Sequence, residues 1–286
     1  SGRTLEPHGW AAVTVRSPQA GSFDHMTTEP NWVDLDGVVN MRDLGGRTTV
    51  DGRTVRSRVV LRSDNLADLT PTSAAYLLNH YRLSDVVDLR TNGEHARDGV
   101  WPFNGEVRLH KMSLYLDDDP EAALPPWFGQ LVDGLPDGRR DHAAMTANHY
   151  LGYFVDRPDS LIGALRTIAG APGAAIINCA AGKDRTGTTS ALLLSAVGVP
   201  ADQVIADYAA SNQRVPAILQ RLGEAATIGS PEHAELVAAQ STPPEIMEIL
   251  LDRVDQELGG VESWLDRNGW DADDQSALES RLLERA

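Results

Sequence analysis

The chain has 286 residues, with 25 Lys and Arg against 41 Asp and Glu, a formal net charge of −16 and one cysteine. A single cysteine excludes an internal disulfide and a Cys-rich zinc site, and the acidity disfavours nucleic acid or an anionic membrane surface as a stable partner. Hydrophobic residues make up 42% of the chain, enough for a sizeable core, yet no run of about 18 apolar residues reads as a membrane span.

In chain order, residues 1–31 read as an N-terminal extension, vector-derived in part if His25-Met26 marks a cloning junction. The first 25 residues hold no apolar h-region, so no signal peptide is visible and the cytoplasm is the default location. Asp51-Gly52 has hairpin-turn chemistry. Strands are predicted over 59–61 and 86–89, with a weaker one over 107–112. Thr70-Pro71 reads as an N-cap followed by proline at the first helical position, opening a helix that carries Ala74, Leu77, Leu78 and Tyr81. Residues 114–140 are rich in Pro, Gly and Asp, with Trp127, Phe128, Leu131 and Leu135 scattered among them. That is long for a connector and reads as a lid insertion over a site or as a variable surface insertion.

Helices are then predicted over 142–155, 159–169, 186–197, 201–210 and 213–223. Thr242-Pro243-Pro244-Glu245 has capping-box spacing ahead of a helix with Ile246, Ile249, Leu250, Val254 and Leu258 on one face. Gly259-Gly260 stops it, and two last helices follow over 260–268 and 274–285. The pattern predicts an α/β fold: a central, mostly parallel sheet of four to five strands flanked by helices, with a helical C-terminal part. Residues 32–286 read as one domain. Nothing in the pattern specifies an oligomeric state.

The most informative stretch is Asn178-Cys179-Ala180-Ala181-Gly182-Lys183-Asp184-Arg185-Thr186-Gly187. It follows Ala174-Ala175-Ile176-Ile177, which reads as a short buried strand, and precedes apolar helix-forming sequence. A strand, a small-residue loop and a helix in that order make an anion site, because successive loop N–H groups and the helix N-terminus converge on one oxyanion. A thiol at the mouth of such a site is a nucleophile, and Arg185 can clamp two phosphate oxygens with its planar fork.

This Cys-x5-Arg-Thr-Gly pattern resembles the signature loop of the cysteine-dependent tyrosine and dual-specificity phosphatases. Within them it is similar to the bacterial branch whose loop reads Cys-x-x-Gly-Lys-Asp-Arg-Thr-Gly. Asn40-Met41-Arg42-Asp43-Leu44-Gly45-Gly46, Val60-Leu61-Arg62-Ser63-Asp64, Val86-Val87-Asp88-Leu89-Arg90-Thr91, Val204-Ile205-Ala206-Asp207-Tyr208, Ser211-Asn212 and Gly259-Gly260-Val261-Glu262-Ser263-Trp264-Leu265 follow that branch in order. The resemblance runs from about Trp32 to the C-terminus. One departure stands out: the family has His immediately before the nucleophile, and here Asn178 occupies that place. Asn can hydrogen-bond but carries no charge.

The resemblance implies a metal-independent, cofactor-free phosphomonoester hydrolase. Cys179 would attack phosphorus and form a phosphocysteine, Arg185 would bind phosphate and the transition state, and the backbone of Ala180, Ala181, Gly182, Lys183, Asp184 and Arg185 would cradle the anion. Thr186 could hydrogen-bond the sulfur or serve as a helix N-cap. Lys183 reads as a second cation at the rim or as a solvated lysine. Two candidates stand for the acid that protonates the leaving group: Asp184 inside the loop, and Asp117, which heads the acidic run with Asp118 and Asp119. Arg42 with Asp43, Asp88 with Arg90, and Asp207 with Asn212 read as structural polar pairs. Tyr150 and Tyr153 read as a helical core stripe before a site wall. The substrate could be a phosphotyrosine protein, a phosphoinositide or a small phosphorylated metabolite such as a nucleoside intermediate. Asn178 motivates an alternative, a catalytically weak phosphate-binding module. Sulfur transfer or arsenate reduction is disfavoured by the Arg-Thr-Gly ending and the lack of a second cysteine.

Overall fold

The computed structural model of the chain describes residues 29–98, 102–103, 105–116, 141–223 and 230–284. Six strands form its sheet: β1 (Asn31–Trp32), β2 (Arg42–Asp43), β3 (Val60–Ser63), β4 (Leu83–Asp88), β5 (Arg108–Lys111) and β6 (Ala174–Asn178). Their order is β1-β2-β3-β6-β4-β5. The four longer strands are parallel, and only the two-residue strands β1 and β2 run antiparallel at one edge. All five residues of β6 are buried, as a strand covered on both faces requires. It lies between β3 and β4, with Asn178 opposite Ser63 on one side and Asp88 on the other. The loop that follows β6 therefore leaves from the middle of the sheet, at the carboxyl ends of the parallel strands, where open α/β sheets place ligands.

The helices follow as α1 (Pro71–Tyr76, continued by a wider turn, Leu77–Tyr81), α2 (Asn92–Asp98), α3 (His142–Asp156), α4 (Pro158–Gly170), α5 (Asp184–Ala196), α6 (Ala201–Ala209), α7 (Val215–Arg221), α8 (Pro231–Ala239), α9 (Pro244–Leu258), α10 (Gly260–Arg267) and α11 (Ala272–Leu282). Thr70 caps α1 as its sequence predicts, accepting from Ser73 N at 3.2 Å. Gly259 ends α9 in the left-handed region at φ 70°. The strict period of two along β6 divides the core: Ala175 and Ile177 face the larger cluster, under α3, α4, α5 and α9, and Ile176 faces the smaller one with Leu61, Leu77, Val86 and Phe103. Cys179 continues the alternation into the larger cluster. No described helix is long and apolar enough to cross a membrane.

Several local expectations are corrected. Thr242 does not open a capping box. Pro243 occupies the N-cap without a side-chain bond, and Thr242 is buried, giving its N–H and hydroxyl to Asn212 Oδ1 at 2.6 and 3.1 Å. The box lies instead at Asp271 and Asp274, at the start of α11. Helices α2 and α8 were not predicted, since neither carries a buried apolar stripe. Residues 117–140 of the expected insertion, with Asp117, lie outside the described residues.

Candidate active site

The loop from Cys179 to Arg185 joins β6 to α5, and its wiring is one-sided. On the far side from the pocket its carbonyls are taken up in sequence. Ala180 O accepts from Asn65 N at 3.1 Å, and Ala181 O and Gly182 O accept from Asn40 Nδ2 at 3.0 and 3.1 Å. Gly182 O and Lys183 O also accept from Arg62 Nη2 at 2.7 and 3.3 Å. In a trans peptide the next N–H points opposite to its carbonyl, so the amides of residues 181–184 turn the other way, toward the pocket. Gly182 is required for this path. Its φ is +67°, and a Cβ there would lie 2.5 Å from Asp64 N.

Behind these donors sits Asp207 of α6, fully buried. It takes Arg42 Nε at 3.1 Å and Arg47 Nη2 at 2.6 Å on one oxygen, and Arg62 Nη1 at 2.5 Å on the other. Burial alone would raise its carboxyl, but the guanidiniums of Arg42, Arg62 and Arg47 outweigh that and hold it far below the usual carboxylate range. The sequence pairings are thus corrected. Arg42 pairs with Asp207, while Asp43 accepts the N–H groups of Gly45 and Arg58. Asn212 ties to Thr242. The Asp88–Arg90 pair is present at 2.7 Å.

On the pocket side, Arg185 is clamped by Glu94 of α2 through two 2.7 Å bonds, Nη1 to Oε2 and Nη2 to Oε1. Its guanidinium carbon lies 5.1 Å from the centre of the Tyr115 ring. Burial would lower the Arg185 pKa, but Glu94 and the neighbouring Cys179 override it and keep the guanidinium charged. Burial likewise pushes the Glu94 carboxyl up, and the Arg185 fork draws it down to about 2. Lys183 is buried, which corrects the solvated reading: Nζ donates to Gln240 O at 2.7 Å and to Gln240 Oε1 at 2.8 Å, just past the end of α8. It also lies 3.8 Å from Asp184 Oδ2.

A cavity of about 380 Å³ opens over the loop, with Cys179, only 2% exposed, in its lining. Ala180, Ala181, Lys183, Asp184 and Arg185 complete the loop side, with Ala239, Gln240 and Ser241 from the end of α8. Tyr115, His149, Tyr150 and Tyr153 form an aromatic wall, so the two α3 tyrosines read as a core stripe are buried and line the pocket too. Burial, aided by Arg185 and opposed by Asp184, lowers His149 to about 4, so it is a neutral hydrogen-bonding group there. Tyr150 donates its hydroxyl to Asp184 Oδ1.

Of the residues predicted for the site, Cys179, Ala180, Ala181, Gly182, Lys183, Asp184 and Arg185 come together in the loop, and Asp117 lies outside the described residues. Thr186 is inside the first turn of α5, so it is not the N-cap, and its buried hydroxyl makes no hydrogen bond. Asn178 is fully buried and neither end of its amide has a partner, so it does not brace the loop. Glu94, Asn40, Arg62, Gln240 and Tyr115 were not read as site residues. Asn40 and Arg62 had a signal in the ordered motifs; Glu94, Gln240 and Tyr115 had none. Among the described residues no three His, Cys, Asp or Glu side chains converge as a metal site would need.

A family model described as the tyrosine phosphatase family matches residues 33–284. The chain is 31% identical over 209 residues to the triple specificity protein phosphatase PtpB of Mycobacterium tuberculosis, a match covering 67% of this chain and 73% of that one. It is 32% identical over 209 residues to a Cupriavidus necator chain named as a tyrosine-protein phosphatase, covering 71% and 70% respectively.

Proposed function

The chain belongs to the tyrosine phosphatase family, and from that premise we propose that it hydrolyses phosphomonoesters through a phosphocysteine formed on Cys179. The observation that carries this reading is the one-sided loop. With the carbonyls of residues 180–183 occupied behind it, its amides remain for a phosphate in front of the thiol, together with the Arg185 N–H groups that Glu94 and Leu89 leave over. Cys179 Sγ attacks phosphorus as the ester P–O bond breaks, and the oxygen leaves with its electron pair and a proton from Asp184. Water then attacks phosphorus, gives a proton back to Asp184, and the thiolate departs. Asp184 is the acid in this reading because it belongs to the loop and lines the same pocket as Cys179. The positive groups around the thiol are the loop amides, the N-terminus of α5 and Arg185, and the Asn178 side chain supplies no hydrogen bond.

For the substrate, an aryl phosphate such as phosphotyrosine suits the site better than a phosphoinositide or a small metabolite. The cations Lys183 and Arg185 belong to the loop, and the opposing wall is aromatic, which fits one phosphate on a flat apolar ring. The same reading treats residues 32–286 as one unit with an insertion at 114–140, acting in the cytoplasm.

The test is hydrolysis of p-nitrophenyl phosphate in EDTA by the wild type, Cys179→Ser and Asn178→His, then a panel of phosphopeptides, inositides and phosphorylated metabolites. Turnover that persists in EDTA and disappears in Cys179→Ser is expected; turnover that survives Cys179→Ser would overturn the phosphocysteine. A second reading, an under-activated phosphate binder, draws on the unpartnered Asn178 amide. It predicts a silent wild type and a gain in Asn178→His.

A further inference from the structure

Two phenols stand in line behind Asp184. Tyr150, in the middle of α3, donates its only proton to Asp184 Oδ1. Tyr208 of α6 lies 3.0 Å away, oxygen to oxygen. A phenol has one proton to give, so with Tyr150 committed to Asp184 the proton between the tyrosines belongs to Tyr208. The row therefore runs Tyr208 to Tyr150 to Asp184, each bond polarising the next. Both tyrosines are buried to 1% exposure, and their rings meet edge to face at 6.2 Å and 73°. The Thr-Gly pair of the loop motif gains a reason from this contact: a Cβ on Gly187 would lie 2.9 Å from Tyr208 Cδ2 and push the ring away. Neither tyrosine touches Cys179 or Arg185 through any hydrogen bond.

Resting on the proposal that Asp184 is the general acid, we propose that Tyr150, backed by Tyr208, is a positioning residue that sets which oxygen of Asp184 carries the transferable proton. With Oδ1 accepting from Tyr150, the acid proton sits on Oδ2, the oxygen 3.8 Å from Lys183 Nζ. As Cys179 Sγ bonds to phosphorus and the ester P–O bond breaks, the leaving oxygen takes the Oδ2 proton. The new carboxylate keeps the Tyr150 O–H on Oδ1, and a bond to a carboxylate is stronger than one to a neutral acid. Tyr150 therefore stabilises Asp184 more as the proton leaves than before, which lowers the barrier to that step alone. Burial, with Asp184 close by, raises the Tyr150 phenol well above its ordinary range, in keeping with a pure donor.

A role in proton delivery is read by changing the leaving group. Phenyl phosphate expels a phenolate that needs a proton; 2,4-dinitrophenyl phosphate expels a far more acidic phenol that does not. For the wild type, Tyr150→Phe, Tyr208→Phe and Asp184→Asn, kcat and KM are measured on both esters, and the ratio of the two kcat/KM values is taken within one preparation, because both esters give the same phosphocysteine and kcat/KM reports the step that expels the leaving group. An inactive fraction lowers both rates alike and leaves the ratio untouched. Asp184→Asn is expected to lose about 100-fold more on phenyl phosphate than on the dinitro ester. Tyr150→Phe should lose about tenfold more, as for one hydrogen bond to a charge, with KM little changed. Tyr208→Phe should move the ratio the same way by about threefold, and it carries the test if Tyr150→Phe does not fold. Equal losses on both esters in the tyrosine variants, beside an intact differential in Asp184→Asn, would overturn the positioning role and leave the acid in place. Equal losses in Asp184→Asn would remove the acid and the positioning role together, while leaving the phosphocysteine on Cys179 untouched.

Discussion

The loop is held from two sides that differ in kind. Behind it, Asn40, Arg62 and Asp207 are at most 4% exposed and bond to the loop backbone or to one another. In front, Arg185, Lys183 and Asp184 are held by side-chain partners on α2, α3 and the end of α8, at the wall of an open cavity. The back fixes peptide planes and the front aims charges. A site that binds a phosphate with backbone N–H groups needs the first kind of support to be rigid, because an amide that rotates loses its aim. The second kind can yield a little, because a charge acts over distance. The back should therefore govern whether the loop exists, and the front how well it works.

The largest effect should come from Asp207→Asn. The isosteric amide leaves three guanidiniums, those of Arg42 and Arg62 fully buried, without a counter-charge, and breaking a buried pair in this way costs about 3–5 kcal/mol. Thermal unfolding should fall by roughly 10 °C for a chain of this size. A fall of less than about 2 °C would mean that the guanidiniums find other partners and that the back is less committed than its geometry implies. Gly182→Ala strikes the same side through the backbone, placing a methyl against Asp64 N in a left-handed residue. It should cost about 1–3 kcal/mol and most of the turnover together.

Glu94→Gln tests the front. Without its ionic clamp Arg185 keeps its charge but loses its aim, so kcat/KM should fall about 10- to 100-fold while the melting temperature shifts by only a few degrees. The pH dependence separates this pair from the rest. The folded-state Glu94 carboxyl lies at about 2, below its ordinary 4.5. A depressed carboxyl stabilises the fold fully above its ordinary value, and that contribution is lost as pH falls toward the folded-state value. The wild type should therefore lose up to roughly 3 kcal/mol more than Glu94→Gln between pH 4.5 and about 2. Parallel stability curves for the two proteins would show that the clamp contributes nothing to folding.

The same division explains what could be read from the residues in advance. The loop was legible because its chemistry is local in sequence: strand, cysteine, small residues, arginine and helix lie within 14 positions of one another, from Ala174 to Gly187. The back was legible as conspicuous residues but not as partners. Arg42 beside Asp43 suggested a pair along the chain, yet strand neighbours point to opposite faces, and Arg42 reaches Asp207 across 165 positions. The front was least legible. Helix α2 is seven residues of NGEHARD and α8 has no buried residue, so neither shows the apolar period by which helices are recognised. These are the helices that bring in Glu94 and, just beyond α8, Gln240.

Gln240→Ala should have the smallest effect, and it asks whether the front differs in kind from the back or only in degree. Lys183 Nζ holds two acceptors on Gln240, the backbone oxygen at 2.7 Å and the side-chain oxygen at 2.8 Å, and both are neutral. The substitution removes one and spares the other, so the ammonium keeps an anchor and its full charge. Losing one such bond should raise KM about two- to fivefold and leave kcat within about twofold, because the charge still reaches the pocket from nearly the same place. Lys183→Met, which removes the charge itself, should raise KM by more. If Gln240→Ala instead lowered kcat tenfold, the exact seat of the ammonium would matter as much as an amide of the loop, and the end of α8 would belong with the rigid back in everything but its location.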